Sequence, residues 1–145
     1  MAVEHDLADS VAGLLHEPTQ VHERGVDLTV ATVHEVTVSG RIDFGGGELD
    51  PAGLEELSPS RRNPDDDYGW WDLDGGQYLV TYNETLDADD PLWLQPRDAL
   101  LERGASHPTL YTADLPGMPL SVGGAGLRMK ENARVSTLPA RDETL

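Results

Sequence analysis

Cysteine is absent from the 145 residues of this chain, which excludes disulfides, thiolate nucleophiles and thiolate metal sites. Long apolar runs are also missing, because no stretch approaches the roughly 18 apolar residues of a membrane-spanning helix. The first thirty residues carry acidic groups where a secretion signal carries basic ones. These absences lead us to expect a protein of the cytoplasm that does not enter a membrane.

Positive charge is scarce as well. The chain has 10 Lys+Arg against 27 Asp+Glu, a formal net charge of −17, and Lys130 is its one lysine. Nucleic acid polymers and anionic membranes are bound through clusters of basic residues, so neither is expected as the main partner. An acidic surface with arginine in place of lysine is typical of halophilic proteins, in which high salt screens the self-repulsion.

The apolar residues that are present favour an all-β fold. Val26, Leu28 and Val30 alternate with polar residues, and the alternation shifts phase near residues 31–33, as in a strand with a bulge. Short stretches separated by glycine and proline predict the other strands. They are residues 40–44, a hairpin over 68–86 with its turn at 74–76 and Tyr78, Val80 and Tyr82 on one face, and stretches within 90–95, 107–114, 118–122 and 126–138.

Two short helices are expected beside these strands. Leu7, Val11, Leu14 and Leu15 have helical spacing within residues 6–17, with Asp9 or Ser10 as the N-cap. The second helix lies within "RDALLERG" (97–104), ends at Gly104, and turns Leu100 and Leu101 inward.

The sequence as a whole predicts one domain over residues 1–145. It has an N-terminal helical segment (1–23), a surface loop (45–67) rich in glycine, proline and acidic residues, and a tail (139–145). Trp70, Trp71 and Trp93 are expected in the core or at a subunit interface.

Several familiar catalytic patterns are missing. The histidines show neither the HxxxH nor the HExxH spacing of transition-metal sites, and no GxSxG elbow is present. The three glycines at 45–47 lack the strand-to-helix context of a phosphate-binding loop, and the acidic run at 65–67 lacks the pattern of an EF-hand.

Arg97 and Arg103 lie on either side of a short apolar stretch in a chain with few cations. Guanidinium groups stay charged and bind phosphate oxygens in a fork, so the pair suits an anionic ligand. With 27 acidic residues available, pairing with surface carboxylates is the alternative.

Four stretches, taken in order, resemble the dCTP deaminase/dUTPase superfamily and in particular its archaeal, haloarchaeal-type dUTPase-like members. They are "GVDLTV" (25–30), "GRIDF" (40–44), "GGQYLVTYNETL" (75–86) and "PRDALLERGA" (96–105), and the likeness continues weakly through 111–120 and 131–138. This resemblance implies a distorted jelly roll or β-barrel with one or two short helices. It also implies a homotrimer that binds a deoxypyrimidine triphosphate between subunits with Mg²⁺.

The resemblance assigns roles to particular residues. Arg97 and Arg103 match the two phosphate-binding arginines of the family, and Asp98 stands where the family carries serine. Asp27 matches an aspartate that helps to organise the metal or its surroundings, so Asp27 and Asp98 are the expected magnesium residues. For Asp27, a strand-edge aspartate satisfied by backbone amides is the alternative. Asp114 matches the aspartate that aligns water for attack on the α-phosphate, and a turn aspartate before Pro116 is the alternative. His107 is expected at the edge of the pocket, with a structural role as the alternative.

Departures from the family narrow the expected reaction. The deaminases carry a glutamate that the stretch 117–126 lacks, which disfavours dCTP deamination. "RVSTL" (134–138) lacks a glutamine that contacts the nucleotide in the family, and residues 1–145 contain no match to the glycine-rich lid of the dUTPases. The expected function is therefore hydrolysis of dUTP to dUMP and pyrophosphate. A non-catalytic trimer that binds a nucleotide or a protein is the alternative.

Overall fold

The fold is almost entirely β, as the sequence predicts, and its main sheet curls into a half-barrel of antiparallel strands. The structure is a computed structural model that describes residues 7–140. The strands are β1 (Val11–Ala12), β2 (Val21–His22), β3 (Gly25–Val38), β4 (Gly53–Leu57), β5 (Trp70–Leu73), β6 (Gly76–Tyr82), β7 (Thr85–Leu86), β8 (Leu92–Pro96), β9 (Ala105–Ser106), β10 (Leu110–Thr112), β11 (Met118–Val122), β12 (Leu127–Lys130) and β13 (Arg134–Pro139). Two four-residue helices are α1 (Glu17–Gln20) and α2 (Asp98–Leu101).

Seven strands of the main sheet follow the order β10-β8-β13-β3-β6-β11-β9, and β2 and β4 pair with β3 outside this path. Two small ladders, β1 with β7 and β5 with β12, complete the sheets. Within residues 7–140, no helix is long and apolar enough to cross a membrane.

The long strand β3 organises both the core and the polar side of the sheet. Val26, Leu28 and Val30 are fully buried on one face, and the predicted bulge appears as a register shift between Val30 and Thr32 against β6. Asp27 and Thr29 alternate with them and are buried too. The strand predicted from this alternation is therefore confirmed, but its polar face is buried as well. The polar groups on that face need partners within the protein.

The N-terminal helix prediction over residues 6–17 is wrong in extent. Only residues 7–9 of the described chain are helical before β1 begins at Val11, which pairs with Leu86. Ser10 follows the helical residues, so it does not cap their N-terminus, and its amide donates to the carbonyl of Leu7 at 3.0 Å. A short isolated helix is only marginally stable, and pairing with β7 provides the alternative. The starting residue of that prediction, Asp6, and the tail residues 141–145 lie outside the described residues.

The strand predicted at residues 40–44 is absent from the structure. Arg41 forms one isolated bridge with Asp50, and the side chains of Ile42 and Phe44 are fully exposed. The carboxylate of Asp43 accepts the amides of Gly46 and Glu48, a side-chain-to-backbone pattern that favours a turn over a strand.

The predicted loop over 45–67 contains strand β4, which pairs with the second half of β3. The predicted hairpin over 68–86 is also wrong: β5 pairs with β12, whereas β6 lies between β3 and β11. Both edges of β6 are occupied, so β5 cannot pair with it. Tyr78 and Val80 do share the buried face of β6, as predicted.

Individual side chains correct the remaining expectations. Leu100 of α2 is buried as predicted, but Leu101 is exposed. Trp71 lies in the core, and Trp70 is half-buried with the guanidinium of Arg62 4.4 Å above its ring. Trp93 is exposed, so it does not belong to the core.

Candidate functional site

Asp27 is the centre of the most highly charged cluster in the described part of the chain. Its side chain is 2% exposed, and its two carboxylate oxygens have different partners. Oδ1 accepts the hydroxyl of Thr137 at 2.7 Å and lies 3.0 Å from Nε2 of His22. Oδ2 accepts an N–H of Arg134 at 3.0 Å and lies 3.4 Å from Nε of Arg97. A buried carboxylate is tolerated when it is paired in this way.

A glycine before Asp27 fixes its position. Gly25 has φ +141°, and a Cβ at that position would lie 2.0 Å from the carbonyl oxygen of Leu138. Only glycine allows this approach of β3 to the end of β13. The resulting register sets Asp27 directly opposite Thr137, and Thr137 directly opposite Gln95 of β8. Three strands therefore bring one polar row together.

A cavity of about 170 Å³ opens beside this row. It is lined by the cationic residues Arg24 and Arg97, by His22, and by the carboxylates of Asp27 and Asp98. Gln95 and Thr137 also line it, whereas Arg134 reaches Asp27 from the other side. Two of the chain's nine arginines thus meet at one carboxylate and a third, Arg24, lines the cavity beside it, although the formal net charge of the chain is −17. This concentration of guanidinium groups suits an anionic ligand.

Arg97 is held in place by more than one contact. Its Nη1 donates to the carbonyl of Arg134 at 3.0 Å, and its backbone amide donates to the carbonyl of Val135 at 2.9 Å. Asp98 follows as the first residue of α2, with its side chain exposed at the cavity. The structure therefore brings together three of the residues expected from the sequence, namely Arg97, Asp98 and Asp27.

Arg103 and Asp114 do not line this cavity, although Arg103 contacts the lining residue Ala99. The guanidinium of Arg103 is exposed, donates back to the carbonyl of Ala99 at 3.1 Å, and lies 3.5 Å from a carboxylate oxygen of Glu102. Asp114 is exposed after β10, where its Oδ1 accepts the hydroxyl of Thr112 at 3.0 Å. Within one chain, neither residue lines the cavity.

His107 is buried in the core rather than placed at the cavity edge. Its Nδ1 lies 2.9 Å from the carbonyl oxygen of Pro108, and its Nε2 lies 2.7 Å from the hydroxyl of Ser136. Ser136 in turn lies 2.6 Å from the hydroxyl of Tyr82. Because a carbonyl can only accept, these partners assign the ring proton to Nδ1 and the acceptor role to Nε2. Burial lowers the pKa of His107 and raises that of Tyr82 to about 12.

A second buried carboxylate, Glu84, was not identified from the sequence. Its Oε1 accepts the amide of Thr29 at 2.8 Å, and its Oε2 accepts the hydroxyl of Thr29 at 2.6 Å and the side-chain amide of Gln20 at 2.8 Å. The same amide nitrogen of Gln20 donates to the backbone carbonyl of Asp27 at 3.0 Å. The one signal in the sequence is a lone acidic residue between two short apolar strands.

Other residues of the site were also missed. His22, Arg24, Arg134 and Thr137 had no assigned role, although "RVSTL" (134–138) was already part of the resemblance. They come from β2, β13 and the turn between β2 and β3, and only strand pairing brings them to Asp27.

Clustered metal ligands are absent from the described chain. Within residues 7–140 no group of three or more His, Asp or Glu side chains could hold a metal ion. Both oxygens of Asp27 already have partners, so Asp27 does not fit the role of a magnesium ligand. Asp98 is exposed at the cavity and could bind Mg²⁺ together with oxygen atoms of a bound ligand. Mg²⁺ is commonly bound in this way, by one or two carboxylates and substrate phosphates.

Comparisons with known proteins show which proteins this chain resembles. The chain is 28% identical over 127 residues to a protein of Methanosarcina acetivorans named probable deoxyuridine 5′-triphosphate nucleotidohydrolase, covering 83% of this chain and 71% of that protein. Proteins of the same name from Methanosarcina mazei and Methanosarcina barkeri are 28% and 27% identical over the same shares. No family model matches the chain.

The chain is thus similar to dUTP nucleotidohydrolases. All three of these relatives are named as hydrolases, and none of the three is named as a deaminase. Their names do not favour the non-catalytic alternative.

Proposed function

We propose that this protein hydrolyses dUTP to dUMP and pyrophosphate. The observation that carries the proposal is the likeness over 127 residues to proteins named for this reaction. The arginine-lined cavity supports it, because a triphosphate needs cationic contacts and two of the chain's ten Lys+Arg residues line this cavity. Hydrolysis of a phosphoanhydride depends mainly on positioning and on neutralising charge, and both can be supplied by few groups.

Arg97 is the residue we assign to the phosphates in the cavity, with Arg24 beside it. The contacts of Arg97 with Asp27 and with the carbonyl of Arg134 hold its guanidinium before a ligand arrives. This preorganisation lowers the entropy cost of binding. Asp27 would then act on the ligand through the arginines that it orients.

Mg²⁺ is the cofactor that we assign to the substrate phosphates and Asp98. The ion would neutralise part of the phosphate charge when it is bound. It would also reduce the Coulomb repulsion between Asp98 and the phosphates, a repulsion that the serine of the family would not cause.

Asp114 is the residue we assign to the attacking water. Its carboxylate would accept a proton as the water oxygen bonds to the α-phosphorus, while the bond from that phosphorus to the bridging oxygen breaks and pyrophosphate leaves. Thr112, two residues before Asp114, lies opposite Leu92 of β8. Leu92 is five residues before Arg97, so roughly 16 Å of extended strand separates Thr112 from Arg97. We therefore infer that Asp114 reaches the cavity of a neighbouring copy in a homotrimer, whereas Arg103 follows α2 beside the cavity of its own chain.

His107 would support the site without touching the nucleotide. It contacts Ser136, the neighbour of Thr137 in β13, and so holds the strand that presents Thr137 to Asp27.

The test is incubation of the purified protein with dUTP and Mg²⁺ in molar KCl, the condition that suits a halophilic surface, followed by chromatography of the products. We expect dUMP and pyrophosphate, with a rate at least 100-fold lower in Asp114→Asn, the range for loss of a general base. Asp90→Asn changes another exposed aspartate and serves as the matched control.

Two outcomes would contradict the proposal. Unchanged dUTP in the presence of intact protein would refute hydrolysis. Undiminished dUMP formation in Asp114→Asn would remove Asp114 from the mechanism. A parallel incubation with dCTP tests the reaction class, because deamination would convert dCTP to dUTP.

A further inference from the structure

One edge of β3 has a gap between its neighbouring strands, at residues 27–29. β2 pairs with this edge as far as Val26 and β6 pairs with it from Val30 onward, while β13 occupies the opposite edge. The carbonyl of Asp27 and the amide of Thr29 point into the gap, where neither β2 nor β6 continues. A buried backbone group without a partner is costly, so side chains must supply the missing partners.

Gln20 fills the first part of the gap. If β2 continued its pairing, Gln20 would lie opposite Asp27, but Gln20 ends α1 and its backbone amide donates to the carbonyl of His16 at 3.1 Å. Its side-chain nitrogen donates to the carbonyl of Asp27 at 3.0 Å instead. Its side-chain oxygen accepts two backbone amides of the preceding turn, at 2.8 and 2.9 Å. This one side chain therefore ties the segment before β2 to β3.

Glu84 fills the second part of the gap. Its Oε1 accepts the amide of Thr29 at 2.8 Å, and its Oε2 accepts the hydroxyl of Thr29 at 2.6 Å and the side-chain nitrogen of Gln20 at 2.8 Å. All three contacts come from donors. A carboxylate accepts at both oxygens, whereas a glutamine would turn an N–H group toward one of these donors. The negative charge at this buried position therefore has a structural reason.

The gap lies directly behind the charged cluster, because Asp27 takes part in both. Its carbonyl accepts Gln20, whereas its Oδ2 lies 3.4 Å from Nε of Arg97 and its Oδ1 lies 3.0 Å from Nε2 of His22. His22 belongs to β2, the strand that follows the segment held by Gln20. A shift of the backbone in the gap would therefore move the carboxylate and the guanidinium that it holds.

We propose that Glu84 and Gln20 are positioning residues for phosphate binding, because they hold the backbone at Asp27 so that its carboxylate presents Arg97 to the phosphates. The inference rests on the proposed function, and within it on the phosphate site at Arg97. Neither Glu84 nor Gln20 lines the cavity, so both act through Asp27. Preorganised groups lose less freedom when a ligand binds, so loosening Asp27 should weaken phosphate binding.

A role in stability alone is the competing explanation. A fully hydrogen-bonded buried network rigidifies a protein wherever it lies. Under that explanation, loss of the Glu84 carboxylate would lower the melting temperature, and the molecules that stay folded would bind phosphate as before. The positioning role predicts weaker binding by folded molecules, and a loss of affinity that depends on Arg97.

The experiment is a calorimetric titration with tripolyphosphate in molar KCl with Mg²⁺, at a temperature below the melting range of every variant. Tripolyphosphate carries three phosphates without a nucleoside. Glu84→Gln and Gln20→Leu should each bind it about 10-fold more weakly than the parent protein, the lower end of the range found when an outer partner of a metal ligand is lost. Thr29→Val removes one hydroxyl from the network and should give a smaller loss in the same direction.

A double-mutant cycle with Arg97→Lys supplies the measurement that a purely structural role would not move. Lysine keeps the positive charge but lacks the guanidinium fork that Asp27 orients. In the Arg97→Lys background, Glu84→Gln should therefore cost less than about 2-fold in affinity. Leu73→Ala, a truncation of a buried side chain of β5 that does not line the cavity, is the matched control. It should lower the melting temperature and leave the affinity unchanged.

The possible failures are distinguishable. Parent-like affinity in folded Glu84→Gln and Gln20→Leu would overturn the positioning role and leave the proposed function standing. An equal loss in both backgrounds, or a comparable loss in Leu73→Ala, would do the same, because either result ties binding to stability alone. If Glu84→Gln does not fold, Thr29→Val decides by the same criteria.

The parent protein tests the two proposals separately. Failure of the parent protein to bind tripolyphosphate would overturn both of them. Binding of tripolyphosphate without hydrolysis of dUTP would overturn the proposed function and leave the positioning role of Glu84 and Gln20 at an anion site.

Discussion

Ser136 and Thr137 are neighbours in β13, yet they lead to two very different polar clusters. Thr137 faces Asp27, His22, Arg97 and Arg134, a charged cluster beside an open cavity. Ser136 faces Tyr82 and His107, which form a closed chain of neutral groups in the core. The alternation of a strand separates the two.

The comparison teaches how to distinguish a site from its support. The Ser136 cluster has perturbed pKa values caused by burial, which is the usual mark of a functional group. No ligand can reach it, because Ser136 is fully buried. The Thr137 cluster has guanidinium groups in excess of its central carboxylate and a cavity in front of them. Accessible, unbalanced charge is therefore the better guide to a candidate site in this protein.

The largest effect is expected from a substitution that breaks the charged cluster. Asp27→Ala leaves two guanidinium groups and the hydroxyl of Thr137 without their acceptor, and it should lower the free energy of unfolding by about 3 kcal/mol. Urea denaturation measures this. Asp98→Ala, an exposed carboxylate at the same cavity, is the control and should change stability by less than about 0.5 kcal/mol. Equal effects would mean that Asp27 is not the centre of the cluster.

The neutral cluster should show itself at alkaline pH. Unfolded chains lose the tyrosine proton near the ordinary pKa of 10.0, whereas native Tyr82 keeps it to about 12. The free energy of unfolding should therefore be unaffected by Tyr82 below pH 10 and fall by roughly 2–3 kcal/mol as pH rises through 12.

Tyr82→Phe should remove this part of the pH dependence. The measurement is a series of urea denaturations from pH 9 to pH 12, in steps of about 1 pH unit. Tyr68→Phe, at an exposed position, should leave it intact. The same alkaline loss in Tyr82→Phe would show that another group causes it.

A matched pair of substitutions in β13 compares the two sides directly. Ser136→Ala and Thr137→Val each remove a hydroxyl and should each cost about 1–2 kcal/mol of unfolding free energy. Only Thr137→Val should weaken tripolyphosphate binding, by several-fold, because Asp27 then has one donor fewer and competes more strongly for Arg97. A similar loss of binding in Ser136→Ala would mean that the two clusters are not separate.

The smallest expected effect concerns His107 at acidic pH. Its native pKa lies below the ordinary 6.5, so the unfolded chain takes up this proton first as pH falls. The free energy of unfolding should thus decrease below about pH 6.5, and His107→Gln should flatten that decrease. His16→Gln, at an exposed position, is the control. An unchanged acid limb in His107→Gln would contradict the assignment.

Part of the fold could be predicted because it depends on local patterns. The alternation at Val26, Leu28 and Val30 and its phase shift identified β3 and its bulge. The strand prediction for residues 40–44 was wrong because an alternating pattern shows only that the sequence is compatible with a strand. It does not show that a partner strand exists. The hairpin over 68–86 failed for the same reason, since both neighbours of β6 are distant in the chain.

The site could be predicted only in part. Arg97, Asp98 and Asp27 were found through their residue types and the resemblance, and the structure places them at one cavity. Arg134 and Thr137 were missed because they reach Asp27 across 107 and 110 residues of chain. Glu84 was missed because a lone glutamate looks solvent-exposed in sequence, and only its burial with Thr29 and Gln20 shows otherwise.

The sequence by itself determined the composition and the fold class: an acidic chain with few cations, no thiols and short apolar stretches that favour a β fold. Tertiary structure decided which of those cations meet, and that Arg97 faces Asp27 whereas Arg103 faces solvent. The physical reason is that periodicity sets which side of a strand a residue occupies, whereas strand pairing sets its neighbours. Pairing depends on burying the whole sheet at once, and no local stretch contains that information.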